Sequence, residues 1–277
     1  MLNKLYQIIK YLVFGRKFHG ITSPYRMLPD FIVIGVKRCG TTSLYEQLPE
    51  HPDIMNSTQD NVGYFNNNFQ LGINYYRSFF PTSWKTKNGK IKTFEVTSSY
   101  IQKSKTAKNL FKTLPEIKLI LMVRNPIDRA YSEFNLDVKE EEQEKTFEEL
   151  INEEITRIEK EDESILSKNY VDKFSPKFRH YLRKGMYYEQ LQPWLELFKK
   201  NQILIISAEE FENETQEIYN KIFHYIGVSK YQIKNTQKAR KGNYSKMNDH
   251  TRELLSKYFK PHNEKFFELI GRRYDWS

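Results

Sequence analysis

The stretch from Phe31 to Leu44 constrains the fold of this chain more than any other part of it. It opens with an apolar run, Phe31–Ile34, whose β-branched side chains are typical of a buried strand. A glycine-bounded basic loop, Gly35–Gly40, follows at once, and a helical pattern begins at Thr41. A strand, a tight loop and a helix N-terminus in this order predict a site that holds a phosphate group.

The loop departs from the phosphate loop of nucleoside triphosphatases at one decisive position. Gly35 and Gly40 have the spacing of that motif, but Thr41 stands where its phosphate-binding lysine belongs. Two cations, Lys37 and Arg38, lie inside the loop instead. We therefore predict a site that binds a nucleotide phosphate without transferring a γ-phosphoryl group.

Further apolar runs alternate with helical patterns along the chain. Three of them are predicted strands: Thr93–Val96, Ile117–Val123 and Gln202–Ser207. This alternation predicts a single α/β domain with a mostly parallel central sheet flanked by helices and a P-loop-like nucleotide-binding core. We place the domain at residues 28–277, after an N-terminal extension at residues 1–27.

The segments between the strands carry weaker signals. The Asn-rich stretch from Asn56 to Asn68 is predicted to be a loop. A helix is predicted to begin at Arg129 after a break at Arg124–Pro126. The charge-dense stretch Lys139–Lys160 is predicted to be helical and mostly solvated, with its apolar residues on one face.

The charge balance favours an anionic partner. Of the 277 residues, 44 are Lys or Arg and 35 are Asp or Glu, which gives a net charge of +9. A Lys- and Asn-rich proteome explains much of this excess, so charge alone does not identify the ligand. Because no Arg-rich arm, zinc finger or RNA-binding signature is present, no nucleic acid partner is predicted.

The chain has one cysteine, Cys39, which lies within the basic loop. A lone cysteine forms no intrachain disulfide and fits a reducing compartment, so we predict a cytoplasmic location. A thiol beside cations has two interpretations: a reactive nucleophile with a lowered pKa, or a small residue that fits a tight loop. The second is favoured because no histidine lies near it in the sequence.

The N-terminal segment, residues 1–20, has an apolar run that Lys10 interrupts and that is too short to span a bilayer. Its cations are Lys4, Lys10, Arg16 and Lys17. Two interpretations stay open: an amphipathic helix that makes peripheral contact with a membrane, or a segment that packs on the surface of the domain.

Three basic elements together indicate a ligand with phosphates at two ends. The first is the Lys37–Arg38 pair in the loop. The second is Arg124, which ends a predicted strand and is followed two helical turns later by Ser132. The third is the cationic turn at residues 240–244. Each is a weak signal alone, since a single surface cation is usually only solvated.

These motifs resemble those of the sulfotransferases that use 3′-phosphoadenosine 5′-phosphosulfate (PAPS), and most closely the heparan-sulfate-type branch. Residues 28–44 and 51–53 look like the family's 5′-phosphosulfate loop, residues 123–132 like its 3′-phosphate motif, and residues 241–244 like its late cofactor loop. Residues 184–195 and 263–276 match as well. The resemblance covers nearly the whole chain from Leu28.

The resemblance implies PAPS as cofactor, with 3′-phosphoadenosine 5′-phosphate (PAP) as product and no metal ion. The residues implied to bind PAPS are Lys37, Arg38, Cys39, Gly40, Thr41, Thr42, Ser43, Arg124, Ser132, Arg240, Lys241, Gly242, Asn243 and Tyr244. Family members usually carry Lys at the position of Arg38. Because Arg does not readily lose a proton, Arg38, with Lys37 beside it, is assigned to electrostatic stabilisation of the leaving phosphate rather than to acid catalysis.

The acceptor side departs further from the family. The branch carries a Glu, a His and an acid at the positions of Asn61, Gly63 and Asn66, and a Lys at that of Val96. Asp60 is the carboxylate that remains in this loop, so it is the candidate general base, with Glu95 and His180 next in line. The predicted acceptor is a hydroxylated compound, a glycan by the resemblance.

Two other functions compete with a sulfotransferase. A P-loop kinase would need Mg²⁺ and a lysine at position 41, which is Thr. A non-catalytic module that binds PAPS or PAP would retain the cofactor motifs and lack the base. Because the acceptor loop is altered in this chain, such a module stays an open alternative. Turnover of PAPS with a broad acceptor panel separates a sulfotransferase from such a binding module.

Overall fold

The computed structural model describes residues 17–85, 90–140, 144–160, 179–234 and 244–276. These residues form a five-stranded parallel sheet with the strand order β2-β3-β1-β4-β5. The strands are β1 (Phe31–Gly35), β2 (Ile54–Asn56), β3 (Lys92–Val96), β4 (Lys118–Val123) and β5 (Ile203–Ser207). The predicted α/β class and parallel sheet are confirmed.

The strand order places three loops side by side. The central strand β1 pairs with β3 on one side, where Phe31 lies opposite Phe94, and with β4 on the other, where it lies opposite Lys118. Because all strands are parallel, the loops after β1, β3 and β4 meet at the carboxyl edge of the sheet. Ligands bind at such an edge in open parallel sheets.

Helices cover both faces of the sheet, so its central strands are apolar throughout. All five residues of β1 and the last five of β4 are buried. The α-helices are α1 (Lys17–Ile21), α2 (Thr41–Gln47), α3 (Ile73–Arg77), α4 (Ser104–Thr113), α5 (Pro126–Lys139), α6 (Phe147–Lys160), α7 (Tyr187–Leu195), α8 (Ala208–Asn213), α9 (Thr215–Ile226) and α10 (Asp249–Ile270).

The structure corrects three predictions about local structure. Ile54–Asn56 is a strand, although it has only three residues and ends in an asparagine that the sequence assigned to a loop. Helix α5 begins at Pro126 rather than Arg129, because proline fits the first helical position and the Asn125 side chain accepts from the Ile127 amide.

The third correction concerns the stretch Lys139–Lys160. Helix α5 ends at Lys139 and α6 begins only at Phe147, so the stretch is not one helix. Helix α6 is also less solvated than predicted. Its apolar residues, including Ile151, pack in a core cluster, and the carboxylate of Glu154 is buried beside them.

Residues before the first strand pack on the domain. The Arg26 guanidinium is buried and donates to the Phe80 carbonyl at 2.6 Å, and the Met27 amide donates to the Pro81 carbonyl at 3.0 Å. The boundary between residues 27 and 28 stays a prediction. Within the described ranges, every helix is too short or too polar to cross a membrane.

Candidate active site

The loop after β1 has a backbone that few side chains tolerate. Gly40 has φ 91° and Arg38 has φ 73°, so both lie in the left-handed region that favours glycine. A Cβ on Gly35 would lie 2.7 Å from the Ile101 side chain, which explains the glycine there. Because both Arg38 and Gly40 have this left-handed backbone conformation, the loop turns sharply there. This turn sets the direction in which the Arg38 side chain leaves the loop.

Arg38 reaches the helix that carries Ser132. Its Nε and Nη2 atoms donate to the Ser132 hydroxyl at 3.1 and 3.0 Å. Arg124 approaches the same loop from the end of β4, where its Nη1 donates to the Arg38 carbonyl at 3.4 Å. Two guanidinium groups and a hydroxyl from three separate elements therefore meet at the carboxyl edge of the sheet.

Tyr187 and Glu209 hold the backbone around Arg124. The Tyr187 hydroxyl donates to the Arg124 carbonyl at 2.7 Å, and Glu209 accepts from the Asn125 amide at 2.8 Å. The sequence analysis placed Tyr187 in a family motif without a role and did not single out Glu209. The position of Glu209, two residues beyond the last residue of β5, was the available signal, because strand ends gather at this edge.

Lys37 belongs to a cluster of buried charges around Glu133. The Glu133 carboxylate is 1% exposed and lies 3.3 Å from Lys37, 2.7 Å from Lys184 and 2.7 Å from Arg129. Burial by itself would raise the pKa of Glu133, but the charges of Lys184, Arg129 and Lys37 outweigh it and hold the pKa well below its usual range. The cluster therefore has three cations around one carboxylate on α5, the helix that also carries Ser132.

The loop residues differ in exposure. Cys39 is fully buried, and burial raises the pKa of its thiol to about 12, so the favoured interpretation as a small buried residue agrees with its environment. Thr41 and Ser43 are buried at the start of α2, whereas Thr42 is exposed. Contacts of Lys37, Arg38 and residues 39–43 with PAPS stay predictions.

The late cofactor loop is described in part. Arg240, Lys241, Gly242 and Asn243 lie outside the described residues. Tyr244 packs edge-on against Tyr131 with ring centroids 5.5 Å apart, and the Tyr131 hydroxyl donates to the Ser245 carbonyl at 3.1 Å. Tyr244 thus lies beside Tyr131, the residue that precedes Ser132.

The segment around Asp60 lies against the end of β3, next to the phosphate loop. The Asn61 amide donates to the Val96 carbonyl at 2.9 Å, and the Asn61 side chain accepts from the Ser98 amide at 3.2 Å. The Ser98 carbonyl lies 3.3 Å from where a Cβ on Gly35 would sit. The acceptor loop and the phosphate loop are therefore neighbours.

The carboxylate of Asp60 lies in a partly buried environment. Its Oδ1 atom is buried and has no hydrogen-bond partner among the described residues. Burial raises the pKa of Asp60, the Asn61 amide opposes the shift, and the negative charge of Glu46 adds to it. A carboxylate whose pKa is moved toward neutrality is a better general base at neutral pH.

Glu95 is the other buried carboxylate near this loop. It is fully buried, and burial raises its pKa to about 7 despite hydrogen bonds from Tyr76, Thr97 and Tyr100; the charge of Asp60 raises it further. His180, the remaining fallback base, belongs to the turn before Lys184, whose amide donates to the His180 carbonyl at 3.4 Å. That turn packs on the Glu133 cluster, since the Arg129 guanidinium donates a hydrogen bond to the Tyr181 carbonyl.

Metal ligands are not clustered in the part of the chain that the structure describes. There, no group of three or more His, Cys, Asp or Glu side chains could hold a metal ion. Arg38 and Arg124, which meet at the carboxyl edge of the sheet, are cations of the kind that binds a phosphate directly.

Comparisons with known proteins agree with this geometry. The family model for the sulfotransferase domain matches residues 28–269. The membrane-associated sulfotransferase kil1 of Dictyostelium discoideum is 28% identical over 90% of this chain and 67% of its own length. The crystal structure of a sulfotransferase from Alicyclobacillus acidocaldarius superposes with a TM-score of 0.72 at 25% identity, covering 90% of this chain and 99% of that one.

Heparan sulfate enzymes are also among the relatives. The bifunctional heparan sulfate N-deacetylase/N-sulfotransferase 4 of Mus musculus is 26% identical over 88% of this chain, which spans only 30% of that enzyme. The heparan sulfate glucosamine 3-O-sulfotransferase 6 of Homo sapiens is 24% identical over 82% of this chain and 67% of its own length. The family match covers most of the chain, and the chain therefore belongs to the sulfotransferase family as a PAPS-dependent enzyme.

Proposed function

We propose that this protein transfers the sulfuryl group of PAPS to a hydroxyl or amine of a glycan. The observation that carries the proposal is the meeting of Arg38, Arg124 and Ser132 at the carboxyl edge of the sheet, beside the loop that holds Asp60. The relatives that act on heparan sulfate support a glycan acceptor.

The residues present fit a ligand with phosphates at two ends. We assign Arg124 and the Ser132 hydroxyl to the 3′-phosphate, since a guanidinium matches phosphate geometry and a hydroxyl donates to it. Lys37, which is 41% exposed at its side chain, and Arg38 are assigned to the 5′ side. Since Arg38 donates to the Ser132 hydroxyl in this structure, its guanidinium has to exchange that contact for the 5′ oxygens when PAPS binds. The Glu133 carboxylate, 3.3 Å from the Lys37 ammonium, holds that side chain on α5.

The chemistry assigned to the chain's own groups is simple. When bound, PAPS supplies the sulfuryl group and a phosphate leaving group. Arg38 stabilises negative charge that develops on the leaving phosphate, because a preorganised cation at the reacting centre acts most strongly in the transition state. Asp60, whose side chain is half-buried, takes the proton of the acceptor hydroxyl on its carboxylate.

Calorimetric titration in a chelator tests the cofactor part of the proposal. We expect PAP to bind without any metal ion. Tight binding of ATP with Mg²⁺ and no response to PAP would contradict the proposal and favour the P-loop kinase.

Substitution of Arg124 or Ser132 should weaken mainly the binding of the 3′-phosphate. We expect Arg124→Ala and Ser132→Ala to weaken PAP binding about tenfold or more, because a charge-assisted hydrogen bond contributes roughly 1.5–3 kcal/mol. Adenosine 5′-phosphate, which lacks the 3′-phosphate, is the matched control ligand. Equal losses for both ligands would remove Arg124 as the 3′-phosphate contact.

Removal of the Arg38 guanidinium should affect turnover more than binding. We expect Arg38→Ala to lower kcat about 10²-fold, in the range measured for a lost transition-state donor, with a smaller change in PAPS affinity. Arg38→Lys restores the residue usual in the family and should remain active. A variant that only binds PAPS more weakly, with unchanged turnover at saturation, would make Arg38 a ground-state contact.

We also propose peripheral membrane contact through residues 1–20. Residues 1–20 carry four Lys or Arg and no Asp or Glu, which suits an anionic lipid surface. An exposed apolar patch follows directly: Ile21, Tyr25 and Trp84 are 77%, 63% and 69% exposed. Tyr25 and Trp84 stack with centroids 6.2 Å apart. The relative kil1, which is described as membrane-associated, supports this contact. The cytoplasmic location stays a prediction.

Tryptophan fluorescence reports on this contact, because Trp84 is exposed whereas Trp194 and Trp276 are buried. We expect phosphatidylserine vesicles, but not phosphatidylcholine vesicles, to shift the emission to the blue and to protect it from acrylamide. Tyr25→Ser should weaken vesicle binding, whereas Leu254→Ser, which removes another exposed apolar side chain, should not. Emission that is already protected without vesicles would show that another part of the chain covers the patch.

A further inference from the structure

Glu95 receives three hydroxyl hydrogen bonds at the end of β3. The Tyr76 hydroxyl donates to its Oε1 at 2.5 Å, the Thr97 hydroxyl donates to its Oε2 at 2.8 Å, and the Tyr100 hydroxyl donates to Oε1 at 3.1 Å. The side chains of Glu95 and both tyrosines are buried, so water does not compete for these contacts. The carboxylate is therefore the centre of a buried hydrogen-bond network rather than a solvated surface group.

Two of the three hydroxyls also hold the acceptor loop. The Gly63 amide donates to the Thr97 hydroxyl at 3.2 Å, and the Phe65 amide donates to the Tyr100 hydroxyl at 3.3 Å. A hydroxyl has one proton to donate and lone pairs to accept with. Because each proton is directed to Glu95, the lone pairs of both hydroxyls are left to the loop amides.

We propose that Glu95 is a positioning residue that, through Thr97 and Tyr100, holds the acceptor loop and with it Asp60 in place for sulfuryl transfer. The proposal rests on the proposed role of Asp60. It assigns Glu95 no contact with substrate or cofactor. Glu95 acts by fixing the direction of two hydroxyl groups, which in turn bind Gly63 and Phe65 on the loop.

The protonation state of Glu95 enters this arrangement directly. An ionised carboxylate only accepts hydrogen bonds, so all three hydroxyls donate to it. A protonated carboxyl donates one bond, and the hydroxyl that receives it loses a lone pair and its fixed direction. The groups that face Glu95 are Tyr76 from α3, Thr97 and Tyr100 beyond β3, and the charge of Asp60. Since its pKa is about 7, the loop should loosen as pH falls below neutrality.

Tyr76 supplies a matched control. Like Tyr100 it is a buried tyrosine that donates to Glu95. Among the described residues, its hydroxyl has no other hydrogen bond, and it accepts none from the loop. Tyr76→Phe and Tyr100→Phe thus remove the same atom from the same carboxylate, but only the second removes an acceptor from the loop.

Amide hydrogen exchange of Gly63 and Phe65, followed by NMR without substrate or cofactor, tests the proposal. We expect Tyr100→Phe to lower protection of Phe65, and Thr97→Val that of Gly63, by about three- to tenfold, the equivalent of one hydrogen bond. Tyr76→Phe should change neither. In the wild type, protection of Gly63 or of Phe65, whichever binds the hydroxyl that receives the carboxyl proton, should fall between pH 8 and pH 6 after correction for intrinsic exchange, and Glu95→Gln should abolish that dependence.

Kinetics supply the second readout. We expect Thr97→Val and Tyr100→Phe to lower kcat/KM for the acceptor about three- to tenfold, with the Kd of PAP unchanged. Equal effects of Tyr76→Phe and Tyr100→Phe, or unchanged protection in Tyr100→Phe and Thr97→Val, would overturn the positioning role. A wild type without sulfate transfer would overturn the proposed function instead, because the exchange measurement does not depend on turnover.

Discussion

Asp60→Asn should lower sulfate transfer by about 10²–10⁴-fold, the usual loss when a general base is removed. The acceptor hydroxyl must give up a proton during transfer, and the buried Oδ1 of Asp60 has no hydrogen-bond partner in the described part of the structure. An amide in its place has nearly the same shape and accepts no proton at neutral pH. The Kd of PAP, measured by calorimetry, should stay nearly unchanged.

Glu46→Gln is the matched control for this result. The charge of Glu46 contributes to the raised pKa of Asp60, so its removal should lower that pKa. Because transfer needs ionised Asp60, the acidic limb of the pH–rate profile should move to lower pH while activity at neutral pH is retained. Full activity in Asp60→Asn would show that another group accepts the proton. If the acidic limb of the pH–rate profile did not move in Glu46→Gln, that limb would not report the titration of Asp60.

Glu133→Gln should destabilise the fold by about 3–5 kcal/mol, the usual cost of removing one partner from a buried ion pair. The substitution leaves Arg129 and Lys184 without their common carboxylate, although their side chains are only 0% and 16% exposed. Urea unfolding monitored by circular dichroism measures the change. The comparison should be made at neutral pH, where Glu133 is ionised in both the folded and the unfolded chain.

The pH dependence of this difference identifies its cause. The pKa of Glu133 is lowered on folding, so its contribution is present above the ordinary carboxyl value of 4.5 and is lost as pH falls below it. The stabilities of the wild type and Glu133→Gln should therefore converge in acid. Glu253→Gln, at an exposed pair with Lys257, should show no measurable change. A Glu133→Gln protein as stable as the wild type would show that the cluster does not hold this part of the fold.

Local motifs made the central part of this structure predictable. The buried strand β1, the basic loop and the pair of Arg124 and Ser132 are each encoded within a short stretch, because a strand end and the first turns of a helix need few residues. Their meeting follows from parallel strands that end at one edge. Asp60 was named from the resemblance to the family, and its role as base stays a prediction.

Contacts between distant elements were not predictable. The partner of Lys37 is Glu133, on a helix nearly a hundred residues further along the chain, and no local pattern connects them. Glu95 was named only as a substitute base, since its partners Tyr76 and Tyr100 come from two other elements. The strand Ile54–Asn56 was missed because its pairing with β3, rather than its composition, makes it a strand.

Transfer of labelled sulfate from PAPS onto a panel of glycans, lipids, phenols and peptides tests the central claim most directly. We expect label on a hydroxyl- or amine-bearing glycan, in the presence of a chelator, with nearly all of it lost in Asp60→Asn. Binding of PAP without transfer to any acceptor would contradict a sulfotransferase and support a non-catalytic binding module.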